Sequence, residues 1–227
     1  MSGIIQFGAN DISHQADFIK TAKDKLKNNL DSEQIANTLH ILLEYQSPSS
    51  DAGASFISFS PSDLLVLGRG STPPDEQTRK KLLNLTEAAQ DAAKSLFCGS
   101  IIAGHTSESD EYADIGIWLG HGPDDHGYDK GYEIEVLHAL GLDATIDEIQ
   151  SVQLDPTSYL PQVIVTKSTS PPAVEAFSSA LKDLTNVHCF FATFEHESSM
   201  MMVWFLLGKL LPDGWCGLVG MGVSSDE

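Results

Sequence analysis

An acidic, hydroxyl-rich segment in the middle of the chain holds the side chains best suited to chemistry with a partner. Residues 106–112 read Thr-Ser-Glu-Ser-Asp-Glu-Tyr, and a strand-like apolar pattern follows directly. Glu108, Asp110 and Glu111 fall within four consecutive positions, and burying unpaired charges of this kind costs several kcal/mol each. No lysine or arginine lies within residues 95–128. We therefore expect an exposed loop that presents negative charge to a cationic or metal-bearing partner.

A second group of side chains suggests a different chemistry, because imidazoles and carboxylates are ligands of zinc and similar divalent ions. A metal-dependent hydrolase is thus the competing hypothesis. The spacing His-Gly-Pro-Asp-Asp-His matches no metalloprotease or zinc-finger signature, and both residue types are common in glycine-rich turns. The group comprises His105, His121, Asp124, Asp125, His126 and Asp129, and the metal site itself would use His105, His121, Asp125 and His126.

Nothing in the sequence favours nucleophilic catalysis. The Gly-x-Ser-x-Gly elbow does not occur. Cys98, Cys189 and Cys216 stand in apolar sequence surroundings, where a thiol is usually inert, and their spacing suits neither a zinc site nor a disulfide framework. The four glycines within residues 214–222 alternate with apolar residues, so we expect close packing of a helix on the sheet there rather than a phosphate site. The prediction is a protein that is not an enzyme and has no cofactor.

Charge is distributed unevenly along this chain of 227 residues, whose formal net charge is -19. Residues 1–94 carry 12 acidic and 9 basic side chains, whereas residues 95–227 carry 20 acidic and 4 basic ones. Such a charge distribution attracts basic proteins and repels nucleic acids and anionic membranes. We therefore expect a basic protein partner and no direct contact with nucleic acid or membrane.

The hydrophobic pattern is typical of a soluble intracellular protein. The chain starts with neither the basic segment nor the apolar core of a signal peptide. Its longest apolar run, residues 200–207, is far shorter than the ~20 residues that a membrane span needs. We expect a cytoplasmic location, with the nucleus left open, and the oligomeric state stays open as well.

Four segments have the periodicity of amphipathic helices: residues 13–29, 31–46, 75–97 and 171–184. The third begins with Asp75 and Glu76, acids that favour a helix N-terminus. The first carries a row of lysines, which raises a third possibility, a non-catalytic adaptor that contacts an acidic partner. The lysines of this row are Lys20, Lys23, Lys25 and Lys27.

Strand patterns predict a sheet between and after these helices. The last three strands have short connections, which favours antiparallel neighbours. The order of elements predicts an α+β fold, with residues 1–74 as an N-terminal helical extension with short strands and residues 75–227 as the main domain. The predicted strands are 55–60, 64–67, 115–119, 133–140 (a strand passing into a turn), 159–165, 188–195, 201–207 and 215–223.

With these elements in order, residues 80–225 resemble the nuclease A inhibitor family. An amphipathic helix leads into Ser-Glu-Ser-Asp-Glu-Tyr at 107–112 and then a strand with Ile-Trp-Leu-Gly at 117–120. At the other end, residues 203–220 are similar to the family's last hairpin and C-terminal strand, and an acidic tail follows. The family has an aromatic residue with acidic neighbours where residues 167–172 read Lys-Ser-Thr-Ser-Pro-Pro.

The resemblance implies an α-β-α sandwich, with a mainly antiparallel sheet flanked by helices, and binding to a non-specific, metal-dependent nuclease. It implies that Glu108 and the C-terminal Glu227 enter the active site of the nuclease and engage its catalytic metal. Asp110, Glu111 and Asp226 would then complete a surface that mimics the phosphates of a nucleic acid.

Overall fold

The structure is a computed structural model that describes residues 4–8, 15–26, 31–46, 56–104, 111–122, 126–142, 146–161, 171–196, 199–212 and 214–224. Within them, five helices and eight strands form a mixed α+β fold, as predicted. The helices are α1 (Gln15–Lys25), α2 (Ser32–Glu44), α3 (Glu76–Ser95), α4 (Glu133–Leu140) and α5 (Pro172–Leu181). The strands are β1 (Ile5–Gly8), β2 (Phe56–Ser60), β3 (Leu65–Leu67), β4 (Ile115–Gly120), β5 (Ile146–Val152), β6 (Thr185–His196), β7 (Ser199–Leu210) and β8 (Gly214–Ser224).

All eight strands belong to one sheet in the order β1-β2-β3-β4-β8-β7-β6-β5. Strands β3 and β4 are parallel, as expected for a connection through helix α3, and the other neighbouring pairs are antiparallel. The antiparallel arrangement predicted for the last three strands is therefore confirmed. Strands β1, β2 and β3 bring residues before position 75 into this same sheet, while the predicted division at residue 74 stays a prediction.

Alternate residues of the long strands pack into two separate hydrophobic clusters, because successive side chains of a strand point to opposite faces. In β7, Val203 and Phe205 belong to the cluster that includes residues of α1, α2 and α4. Trp204 and Leu206 belong to the cluster that includes residues of α3 and α5. The helices are thus divided between these two clusters.

The helices predicted at 31–46, 75–97 and 171–184 are confirmed as α2, α3 and α5, and α1 lies within the predicted 13–29. Helix α3 begins as its sequence indicates, because the carboxylate of Asp75 accepts a hydrogen bond of 2.7 Å from the Thr78 backbone N–H. No helix among the described residues is long and apolar enough to cross a bilayer.

Removing this cap gives a direct test of the start of α3. We expect Asp75→Ala to lower the free energy of unfolding, since the Thr78 N–H loses its partner at the helix N-terminus. Urea unfolding followed by circular dichroism measures the change. Asp75→Asn keeps an acceptor at this position and serves as the control, and an equal loss in both variants would contradict a capping role.

The strand predicted at 133–140 is wrong, since this segment forms helix α4. Its buried residues Val136, Leu137 and Leu140 follow helical spacing, and Gly141 ends the helix with a left-handed φ of 75°. The two glutamates in the first turn also suit a helix N-terminus. The segment is only 8 residues long, so its branched apolar residues are equally compatible with a strand.

The strand predicted at 159–165 is not found where the structure describes this segment. Tyr159 has a positive φ of 58°, and Pro161 forms an isolated bridge with Leu154; residues 162–165 lie outside the described residues.

The edge strand of this region is instead β5, which pairs with β6. A register shift between Ile146 and Glu148 allows Ile146 and Ile149 to pack on the same cluster, so β5 lacks the strict alternation that indicates a strand. Strand β1 is also absent from the strands that the sequence pattern predicts.

Candidate functional site

The register of β4 and β8 brings the residues that adjoin two acidic segments of the sequence to one end of the sheet. The two strands are antiparallel, with Ile115 opposite Val219. The chain that follows the acidic segment enters the sheet where β4 begins, and β8 leaves the sheet at that same end, with Ser224 opposite Met200. We call this the acidic end of the sheet.

Of the predicted contact residues, the structure describes Glu111, whose side chain is exposed as expected. Glu108 and Asp110 of the loop, and Asp226 and Glu227 of the tail, lie outside the described residues. What the structure defines is therefore the support on which loop and tail begin, and not the contact side chains at their tips.

The stem that follows the loop, residues 111–114, is held by side chains of two helices, α2 and α3. From α2, the Asn37 side-chain amide donates a hydrogen bond of 2.9 Å to the Glu111 carbonyl. The Thr38 hydroxyl donates to the Ala113 carbonyl at 2.8 Å and accepts from the Ala113 N–H at 3.1 Å. From α3, the Gln90 amide donates to the Asp114 carbonyl at 2.9 Å. Four hydrogen bonds thus hold the point at which the loop returns to the sheet.

The stem that precedes the loop, residues 100–104, is tied to the same place by the side chain of Asp114. The Ser100 hydroxyl donates to Asp114 Oδ1 at 2.6 Å, and the Ile101 N–H donates to Oδ2 at 2.6 Å. The Ser100 hydroxyl also accepts from the Ala103 N–H at 3.2 Å. One carboxylate therefore joins the two stems of the acidic loop, which makes Asp114 a positioning residue rather than a contact residue.

Asp114 is fully buried and forms no salt bridge with the described residues, which is unusual for a buried acid. Burial raises the pKa of this carboxyl to about 7, although the hydrogen bonds from Ser100, Ile101 and Ile102 act in the opposite direction. Space for the carboxyl comes from Gly220 in β8, where a Cβ atom would collide with Asp114 Oδ1 and Ser100 Oγ. Gly220 is therefore required for close packing as predicted, but its neighbour is the loop stem and not a helix.

Negative charge dominates the described surroundings of this stem. The pKa of Tyr112 is raised by burial and then by the carboxylates of Glu111 and Glu44. A cation of the same region, Lys94 near the end of α3, makes an ion pair of 2.6 Å with Asp31 and a second contact of 3.9 Å with Asp91. Two acids thus already neutralise this lysine.

The described residues of the alternative metal site lie on the surface. His121 and His126 are exposed, and the His126 ring stacks on Tyr132 with 5.3 Å between ring centroids. His105 and Asp125 lie outside the described residues, and the part of the chain that is described contains no group of three possible metal ligands. Gly104 belongs to the stem at the start of β4, whereas His121 follows the end of that strand. Strand β4 has six residues and is therefore about 20 Å long.

The three cysteines are buried, as their apolar sequence surroundings indicate. Burial raises the pKa of the Cys189 thiol, and the neighbouring carboxyl of Asp114 adds to this. A thiol of this kind keeps its proton at neutral pH and is a poor nucleophile. Its environment therefore agrees with the interpretation of these cysteines as core residues.

Two residues of this region, Asp114 and Phe97, are not among the sequence-predicted site residues. In the sequence, Asp114 stands out because it is a single acid directly before the all-apolar strand β4. In the sequence, Phe97 is recognisable only as the last apolar residue of a helix.

Comparisons of the chain with protein-family models, with curated proteins and with solved structures gave no match.

Proposed function

We propose that this protein is a binding module that inhibits a basic, metal-dependent nuclease. The acidic loop, with Glu108, Asp110 and Glu111, and the tail, with Asp226 and Glu227, enter the active-site cleft of the partner together. The protein itself is not an enzyme and has no cofactor of its own.

The observation that carries the proposal is the register of β4 and β8. Antiparallel neighbours lie about 5 Å apart, so Ile115 at the start of β4 lies beside Val219. From Val219, β8 continues to Ser224 beyond the end of the sheet at which the stem enters β4. A single partner surface can then contact both acidic segments. Residues that are more than one hundred positions apart in the sequence thereby form one candidate site.

The rigidity of the stem supports the same proposal. The hydrogen bonds from Asn37, Thr38 and Gln90 fix the returning chain, and the Asp114 carboxyl ties it to the preceding stem. A loop with fixed ends loses less conformational freedom on binding than one with free ends, which favours affinity.

The chemistry of the segments suits a nuclease cleft. Magnesium prefers oxygen ligands and keeps positions open for substrate phosphate, so a carboxylate can take such a position. The neighbouring acids substitute for the phosphates that a basic groove otherwise binds. Opposite charges also increase the association rate, by roughly 10- to 1000-fold at low ionic strength.

The finer architecture that we propose is the α-β-α sandwich of the nuclease A inhibitors, with residues 1–74 as an extension of that fold. The division of the helices between the two hydrophobic clusters supports it. The contribution of β1, β2 and β3 to the same sheet supports an extension that enlarges the sandwich.

Deletion of Asp226 and Glu227 tests the function. We expect inhibition of DNA cleavage by nuclease A to weaken by about 30-fold or more, because ion contacts desolvated in an interface contribute at least about 2 kcal/mol when one side is removed. The measurement is the inhibition constant at low salt, repeated at increasing salt, where exposed charge contacts are screened.

The matched control removes two charges at another surface. Glu76→Gln combined with Glu87→Gln neutralises two exposed acids of α3 and should leave the inhibition constant within about twofold, since isolated surface charges contribute little. Absence of inhibition by the wild type, or equal inhibition with and without the tail, would contradict the proposed function.

A further inference from the structure

Phe97 is the most exposed large apolar side chain among the described residues, with 90% of its surface in contact with solvent. It follows Leu96, the C-terminal cap of α3, in the turn that ends this helix. The Phe97 N–H donates to the Lys94 carbonyl at 3.1 Å, and the Cys98 N–H donates to the Ala93 carbonyl at 3.0 Å. These two bonds define a Schellman turn with Phe97 at its left-handed position.

This position is unfavourable for a phenylalanine in two ways. Its φ is 57°, a left-handed conformation that glycine adopts easily and that costs other L-residues roughly 1–2 kcal/mol. Its ring is also left in water, so it contributes no burial to the fold. Glycine would suit the turn better in both respects, and folding therefore does not account for the phenylalanine.

A groove of about 300 Å³ lies beside the ring. Its apolar part is formed by Phe97, Cys98, Gly99 and Ala113, and its polar rim by Asp31, Gln34, Gln90 and Lys94. Ala113 belongs to the stem that follows the acidic loop, and Gln90 holds the Asp114 carbonyl in that stem. The groove thus adjoins the support of the acidic loop.

We propose that Phe97 and this groove are the apolar anchor for the same basic partner, an inference that rests on the proposed function. An apolar side chain on the basic face of the partner packs against the Phe97 ring and fills the groove. Aromatic residues surrounded by a polar rim are the usual centres of binding energy in interfaces. The acidic segments supply the charge contacts, and Phe97 supplies the apolar contact at their base.

Charge identifies the occupant as this partner rather than a second copy of the chain. A second copy would bring another net charge of -19 towards a groove that opens beside an acidic stem, and like charges repel at such a contact. A basic protein that contacts the exposed Glu111 approaches the groove as well, because Ala113 of the same stem lines it.

The test is Phe97→Gly in the full chain. Glycine suits the left-handed turn, so we expect the melting temperature to stay the same or to rise, while the dissociation constant for metal-loaded, catalytically inactive nuclease A increases at least about 10-fold. Leu211→Ala is the matched control, because Leu211 is also exposed, at 58%, but lies in the turn between β7 and β8 at the opposite end of the sheet. It should leave the dissociation constant unchanged.

The outcomes separate this inference from the proposed function. If the wild type inhibits the nuclease and Phe97→Gly binds and inhibits equally well, the anchor is rejected and the proposed function stands. If the wild type binds in a Phe97-dependent manner without inhibiting, the anchor stands and the blocking role is rejected. Absence of binding by the wild type overturns both. A fall in the melting temperature of Phe97→Gly would show that the ring packs against its own chain. Loss of a wild-type dimer in this variant would show that a second copy occupies the groove. Either result would overturn the inference.

Discussion

Substitution of Gly220 by alanine is expected to lower the free energy of unfolding by about 3 kcal/mol or more, because the new Cβ has no space. It would collide with Asp114 Oδ1 and Ser100 Oγ, and it would also lie 2.9 Å from Ile102 Cγ1. Overpacking of a dense core costs roughly 1–3 kcal/mol, and disruption of a buried hydrogen-bonded group costs about as much again. The carboxyl that joins the two loop stems would have to move.

Chemical denaturation of Gly220→Ala gives the stability change, and the inhibition constant reports on the loop. A double-mutant cycle with Ser100→Ala supplies the control, since it removes one of the colliding atoms. The losses from the two substitutions should then be less than additive, with a coupling of about 1 kcal/mol. Strictly additive losses would mean that Gly220 matters for another reason than the contact with the stem.

Asp114→Asn is expected to remove a large part of the pH dependence of stability. The pKa of this carboxyl is about 7 in the folded protein and about 4 in an unfolded chain. Because the folded pKa is raised, the folded state binds more protons between these values. The contribution of Asp114 to stability is therefore fully present below about pH 4 and is lost as the pH rises through about 7.

The expected size of this effect is on the order of 4 kcal/mol, since three pKa units correspond to that free energy. Asparagine has nearly the same shape and no charge, so the stability of the variant relative to wild type should increase by this order of magnitude between pH 4 and pH 8. Urea denaturation at a series of pH values measures it. A constant difference across this range would show that Asp114 does not titrate there.

Asp155 offers a control of opposite sign. Hydrogen bonds from Thr157 and Ser158 lower the pKa of this exposed carboxyl to about 2. Its contribution is present above about pH 4 and is lost as the pH falls through about 2, so Asp155→Asn should differ from wild type mainly in its behaviour below pH 4. The two variants together separate burial from hydrogen bonding as causes of pH dependence.

Elements with strong local signals were predictable from the sequence. Helix α3 has a capping acid at Asp75 and a long apolar stripe, and α5 begins with prolines that suit a first turn. The long apolar strands β6, β7 and β8 need only short turns between them. In each case the residues that decide the structure are close together in the chain.

Helix α4 and strand β5 show where local signals fail. Helix α4 is short, and its branched residues are compatible with either a helix or a strand. Packing of Val136, Leu137 and Leu140 on the hydrophobic cluster that includes α1 and α2 favours the helix. The register shift in β5 hides its alternation, and pairing with β6 decides for a strand. Both outcomes depend on contacts with residues far away in the sequence, and the periodicity of a short segment carries no information about such contacts.

The same distinction applies to the candidate site. The exposure of Glu111 and the acidity of the second half of the chain follow from the sequence alone, because clustered carboxylates need water. The position of the loop stem beside β8, the burial of Asp114 beneath Gly220 and the exposure of the Phe97 ring follow only from tertiary structure. Each of these results from the pairing of β4 with β8 and the packing of α2 and α3, so contacts between distant segments decide them and no local pattern encodes them.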